Sequence, residues 1–130
     1  MTGYRTALGR ARGLGSAKTG VGHFIGQRVS AVALLILIVW GVRAAMTLAR
    51  GDYELTGAWL RAPLNLSLMC LLALAAFYHM HVGMRVIIED YIHKTPSKFA
   101  LLIGNFLLCF GGAAVTIVSL LKVALATGAT

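Results

Sequence analysis

The stretch LNLSLMCLLALAAFYHMHVGMRVIIEDY, residues 64–91, decides the fold class, because no Asp, Glu, Lys or Arg interrupts it before Arg85. An apolar helix of this length can cross about 30 Å of hydrocarbon at about 1.5 Å per residue. Comparable apolar blocks lie on either side of it. We therefore predict transmembrane spans at residues 24–49, 64–89 and 98–122, in an all-α integral membrane protein.

The composition agrees with a single membrane domain covering residues 1–130. Hydrophobic residues make up 58% of the chain and charged residues 12%, whereas soluble proteins carry roughly 25% charged residues. The net charge of +8 could indicate nucleic acid. We exclude nucleic acid, because the basic residues flank apolar segments, where membrane lipid and topology explain them. Cys70 and Cys109 lie in apolar runs, which predicts buried thiols and no disulfide or iron–sulfur site.

The distribution of Lys and Arg predicts the orientation. Eight of the 12 basic residues flank one membrane surface and four flank the other. By the positive-inside rule the N-terminus and the second loop lie inside, and the C-terminus lies outside. Residues 1–22 are predicted to be a retained inside segment that lies against a partner. Residues 50–62 are predicted to be a polar loop, and residues 91–97 a tighter one.

Helical phase separates the two histidines of the second span. At roughly 100° per residue, His79, Gly83, Val86 and Asp90 share one stripe, and His81 lies on the opposite side. A glycine one turn after an imidazole leaves room for a flat macrocycle, and imidazole is a good axial ligand for haem iron. A hydrogen-bonded core histidine explains His79 equally well. His81 is predicted to contact another helix or lipid headgroups.

Polar groups also lie where the first and second spans meet the inside surface. The Tyr91 hydroxyl could donate to a carbonyl oxygen of a small apolar substrate, and Asp90 could relay protons. By itself this dipeptide is more typical of an interfacial anchor. Arg28 suits carboxylates such as haem propionates, and it equally suits a positive-inside flank.

Together these residues resemble the hydrophobic membrane-anchor subunits of succinate dehydrogenase, the D subunits of respiratory complex II. The pattern His-x-x-x-Gly…Asp-Tyr carries the resemblance, with His79, Gly83, Asp90 and Tyr91 in this chain. In the opening, LGR at residues 8–10 and HFIGQRVSAVA at residues 23–33 are similar to α-proteobacterial members. The segment VIIEDYIH, residues 86–93, also resembles the family. The resemblance covers nearly the whole chain.

The resemblance implies a role for each matching residue. His79 would be an axial ligand of haem b, with Gly83 on the haem-facing stripe, and the other ligand would come from the C subunit. Arg28 would lie near the haem propionates. Tyr91 would hydrogen-bond the ubiquinone headgroup, and Asp90 would support that site. The chain would then bind and orient groups without performing bond chemistry of its own.

The resemblance also implies partners and a location. They are a cytochrome b556-type C subunit, an iron–sulfur subunit and a flavoprotein subunit, in a helix bundle in the bacterial inner membrane. The N-terminus would be cytoplasmic and the C-terminus periplasmic. Succinate would be oxidised at a flavin, and ubiquinone reduced at the inside surface. His81 departs from the family pattern, because it adds a second candidate imidazole.

Two alternatives remain at this point. The chain could anchor a quinol:fumarate reductase, since sequence does not settle the direction of catalysis. It could also be a small structural or transport subunit without haem, in which His79 only packs helices. In each case the small-residue run at 111–114 is predicted to mediate helix association in lipid.

Overall fold

The computed structural model of the chain describes residues 6–11, 13 and 20–126. The described part contains five helices: α1 (Ala7–Ala11), α2 (Gly20–Leu48), α3 (Tyr53–Arg61), α4 (Pro63–Tyr91) and α5 (Thr95–Leu125). Of these, α2, α4 and α5 are long and apolar enough to cross a membrane. This confirms the all-α integral membrane class. Most of the predicted inside segment, residues 1–22, lies outside the described residues.

The long helices continue beyond the predicted spans at most of their ends. Pro63 begins α4, and Pro96 lies in the first turn of α5. Proline suits the first helical turn, because its missing N–H has no helical partner there. The connection between α4 and α5 is only residues 92–94, so the two helices lie side by side and antiparallel.

The prediction of a polar loop at residues 50–62 is wrong, because most of this segment forms α3. Asp52 caps the helix, and its Oδ1 accepts a hydrogen bond from the Leu55 backbone N–H at 2.9 Å. Such an N-cap contributes about 1 kcal/mol to helix stability. Gly57 and Leu60 are buried, so α3 presents one face to the bundle.

Contacts at the carboxyl end of α3 hold it against the long helices. The indole of Trp59 stacks on that of Trp40 in α2, with ring centroids 5.8 Å apart. Asn65 Nδ2 donates to the Trp59 carbonyl oxygen at 3.0 Å. Arg61 Nη2 donates to the Ala126 carbonyl oxygen at 2.8 Å. The helix therefore closes one end of the bundle.

The central helix is α4, which packs against both α2 and α5. Glycines allow the close approach on both sides. A Cβ at Gly26 of α2 would collide with the Tyr78 hydroxyl, and one at Gly112 of α5 would lie 2.6 Å from Phe77 Cε1. Aromatic side chains of α4 thus fill the space that a Cβ would take on each neighbour.

Large apolar side chains lie mainly on the outside of the bundle, and small side chains lie inside. Leu35 is 70% exposed and Val115 is 67% exposed, whereas Cys109 is 2% exposed. Lipid solvates apolar side chains as well as a protein interior does, so membrane helices associate through small residues. The predicted burial of Cys109 is confirmed, and Cys70 is half-buried.

In the run at residues 111–114, Gly112 packs against Phe77 of α4, whereas Gly111 is exposed. We expect Gly112→Val to weaken the α4–α5 contact by about 1–3 kcal/mol, the usual cost of overpacking. Gly111→Val is the matched control, because a Cβ at Gly111 meets nothing within 4 Å. Thermal unfolding in detergent-solubilised membranes should show a lower midpoint for Gly112→Val alone. Equal losses would contradict this packing.

Candidate functional site

His79 faces α2, where it forms a polar contact between the two helices. Its Nδ1 lies 2.9 Å from Ser30 Oγ, and the same hydroxyl donates to the Gln27 carbonyl oxygen at 3.0 Å. Ser30 is buried, at 6% exposure, whereas His79 is half-buried. The second ring nitrogen, Nε2, makes no hydrogen bond to any residue that the structure describes.

Gly83 follows His79 by one helical turn and also faces α2. A Cβ at this position would lie 4.0 Å from Gln27 Nε2, which is an ordinary van der Waals distance. Packing within the described chain therefore does not require glycine here, in contrast to Gly26. The missing side chain leaves room beside His79 for a group from outside this chain.

His81 faces the other way and is held by α5. Asn105 Nδ2 lies 3.2 Å from His81 Nδ1 and donates to the His81 carbonyl oxygen at 3.0 Å. Cys109 Sγ donates to Asn105 Oδ1 at 3.2 Å. Phe106 and Phe110 meet the imidazole ring edge-on. The prediction that His81 contacts another helix is confirmed.

The carboxyl end of α4 presents exposed polar groups. Tyr91 is 76% exposed, and Asp90 is exposed beside it. Glu89 is engaged on both sides: its carboxylate pairs with Arg85 Nε at 2.8 Å, and its carbonyl oxygen accepts from Lys98 Nζ at 2.8 Å. Among the residues described, neither Asp90 nor Tyr91 has a side-chain hydrogen bond.

Arg28 lies near the same membrane surface as the end of α4. Helices α2 and α4 are antiparallel, because Gln27 lies beside Gly83 and Ser30 beside His79. The start of α2 is therefore close to the end of α4. The Arg28 guanidinium carbon lies 5.0 Å from the Phe24 ring centroid, an attractive cation–π contact. Arg28 is exposed.

An apolar cleft that the sequence did not reveal opens between α2, α4 and α5. Its volume is about 790 Å³, and its walls include Ile25, Val29, Leu74 and Phe110. Ser30 also borders the cleft, whereas His79 does not. The described lining carries no charged side chain, and its few polar groups include the Ser30 and Tyr78 hydroxyls, so the cleft suits a mainly apolar group.

Sequence reasoning missed two residues that organise the histidines, Ser30 and Asn105. A signal for Ser30 was present, since it is the only polar side chain between Val29 and Val42. Nowhere in the described ranges do three or more His, Cys, Asp or Glu side chains gather into a metal site. A metal held by His79 would therefore need ligands from elsewhere.

Comparison with known proteins gives consistent matches. Residues 2–118 match the family described as "Succinate dehydrogenase/Fumarate reductase transmembrane subunit". The chain is 32% identical to the succinate dehydrogenase hydrophobic membrane anchor subunit of Rickettsia conorii, over 79% of this chain and 84% of that protein. The subunit of the same name from Paracoccus denitrificans is 30% identical, over 86% and 84% of the two chains. No solved structure matches this chain.

Proposed function

Because this chain belongs to the succinate dehydrogenase/fumarate reductase transmembrane subunit family, we propose that it holds haem b and forms one wall of a ubiquinone site. The chain itself is a multi-pass membrane-anchor subunit of succinate dehydrogenase. This follows from its similarity to relatives of that name and from its three long apolar helices. The observation that supports the haem proposal most directly is that no residue in the described part of the chain hydrogen-bonds to Nε2 of His79.

The surroundings of His79 suit an axial haem ligand. The imidazole lies within an apolar transmembrane helix, with Nδ1 bonded to Ser30 and Nε2 free of described protein partners. A metal-binding histidine typically hydrogen-bonds through its other ring nitrogen, which fixes the orientation of the ring. Haem brings its own four nitrogen ligands, so it needs from this chain only one imidazole. When bound, haem b supplies reversible one-electron transfer.

Two further residues support the same proposal. Gly83 leaves space next to His79 that packing within the described chain does not require. Arg28 lies towards the membrane surface, where its donors can hold the propionate carboxylates in charge-assisted hydrogen bonds. The second ligand would come from the C subunit, because His81 faces α5, on the side of α4 opposite to His79.

The exposed end of α4 suits one wall of a quinone site. The Tyr91 hydroxyl can donate a hydrogen bond to a quinone carbonyl oxygen, and Asp90 can hold or pass on a proton. Glu89 is less suited to proton transfer, since Arg85 holds its carboxylate. The remaining walls would come from partner subunits.

The orientation and the partners follow from the same proposal. The surface that carries Tyr91 also carries Arg28, Arg85 and Lys98, which makes it the inside surface by the positive-inside rule. The iron–sulfur and flavoprotein subunits would dock there and deliver electrons from succinate to ubiquinone. The relatives are named for succinate dehydrogenase, which favours this direction over fumarate reduction.

The two histidines of α4 provide a direct test of the haem ligand. In the purified complex, His79→Ala should abolish the b-type signal in the reduced-minus-oxidised spectrum. His81→Ala should keep the signal, because that imidazole packs against α5. Flavin content of the same preparations checks assembly. Loss of the signal in His81→Ala but not in His79→Ala would contradict the proposal. A wild-type complex without a b-type signal would also contradict it.

Substitution of Tyr91, with Tyr53 as the control position, tests the proposed quinone site. Tyr91→Phe should lower succinate:ubiquinone activity about tenfold, equivalent to one hydrogen bond of about 1.4 kcal/mol. Succinate oxidation by a soluble artificial acceptor should survive, since it bypasses this site. Tyr53→Phe is the control, because Tyr53 is 75% exposed at the start of α3. Parallel loss of both activities in Tyr91→Phe would show that Tyr91 acts through assembly instead.

A further inference from the structure

We propose that Ser30 is the positioning residue for His79 and fixes its tautomer. Its hydroxyl accepts a hydrogen bond from the Nδ1–H of His79, so Nε2 keeps its lone pair and faces an incoming metal unprotonated. This inference rests on the proposed haem function, and it adds a residue on α2 that controls how the imidazole on α4 binds.

The Ser30 hydroxyl lies between two hydrogen-bond partners, the Gln27 carbonyl oxygen and His79 Nδ1. A hydroxyl has a single proton to donate, and Ser30 donates it to the Gln27 carbonyl oxygen at 3.0 Å. With that proton on the Gln27 side, the same oxygen, 2.9 Å from His79 Nδ1, accepts the Nδ1–H. A metal held at Nε2 would require this arrangement, because the proton of the neutral ring is then on Nδ1. A neutral imidazole carries one N–H. When that proton is on Nδ1, Nε2 is left as the nitrogen able to bind iron.

The environment of Ser30 favours this arrangement. Ser30 is 6% exposed and lies in an apolar part of α2, so water does not compete for the contact. An imidazole N–H without an acceptor in such a place costs about 1–3 kcal/mol. Because the two residues belong to different helices, the hydrogen bond also sets the ring orientation relative to α2.

His81 shows the opposite proton arrangement on the same helix. Its Nδ1 faces the amide nitrogen of Asn105, which is a donor. The orientation of this amide is supported by Cys109, whose thiol donates to the Asn105 oxygen. His81 Nδ1 therefore accepts, and the proton of the neutral ring lies on Nε2. The two histidines thus differ in the helix that they face and in the ring nitrogen that carries the proton.

The bond to Ser30 has an electronic consequence for the proposed ligand. An imidazole that donates its distal N–H to an acceptor is a more basic ligand. If His79 holds haem iron, a more basic imidazole would stabilise the oxidised iron and so lower the reduction potential. Loss of the acceptor should raise the midpoint potential of the haem and weaken its retention.

Variants at Ser30 in the purified complex test the inference. Ser30→Ala and Ser30→Cys remove the hydroxyl, and Ser30→Thr keeps one. Ser119→Ala is the matched control, because Ser119 also donates to a carbonyl of its own helix, that of Val115, and contacts no histidine in the part of the chain that the structure describes. The readouts are the haem midpoint potential by redox titration and the rate of haem transfer to apomyoglobin.

We expect Ser30→Ala and Ser30→Cys to keep the b-type spectrum with a higher midpoint potential. Haem transfer should accelerate about 10-fold or more, as is usual when a residue supporting a metal ligand is lost. Ser30→Thr should stay close to the wild type. If Ser30→Ala does not assemble, Ser30→Cys gives the same comparison at nearly native volume.

The failures of the two proposals are distinguishable. If the wild-type haem signal depends on His79 but both Ser30 variants match Ser119→Ala, the role of Ser30 is overturned and the haem proposal stands. If Ser30→Thr behaves like Ser30→Ala, the effect comes from packing, and the role of the hydroxyl is overturned. A wild-type complex without b-type haem overturns both proposals.

Discussion

The rotation of α4 about its own axis is the constraint on which the rest of this structure depends. In lipid, helices associate through close packing and polar contacts, because apolar surface gains little by leaving the hydrocarbon. Two histidines separated by a single residue each contact a different neighbour, His79 at Ser30 of α2 and His81 at Asn105 of α5. A rotated α4 would break both contacts together, so they specify one orientation of the helix.

The orientation of α4 decides what the helix presents at each depth. His79 and Gly83 lie on the α2 side, and Tyr91 follows His79 by about 18 Å along a straight helix. The proposed haem ligand is therefore inside the hydrocarbon, while the proposed quinone contact is at the membrane surface. A single helix can in this way contribute to two redox sites without being a catalyst itself.

The sequence predicted the long helices well, because length, lack of charge and flanking Pro63 and Pro96 all indicate the same spans. It failed at residues 50–62, where polar composition concealed a helix that Asp52 caps and Trp59 holds in place. Helical phase separated His79 from His81 correctly. It could not reveal Ser30 as the partner, because which residues meet across two helices depends on their relative position along the axis. The role of Tyr91 remains a prediction, because a quinone site there would need walls from other subunits.

High-resolution electron cryomicroscopy of the assembled complex tests the central claim most directly. The account predicts density joining His79 Nε2 to a haem iron, with Nδ1 of the same ring at hydrogen-bond distance from Ser30 Oγ. His81 should remain against Asn105, with no bond to the metal. An iron bonded to His81, or a His79 ring whose Nε2 is bound to protein, would contradict it.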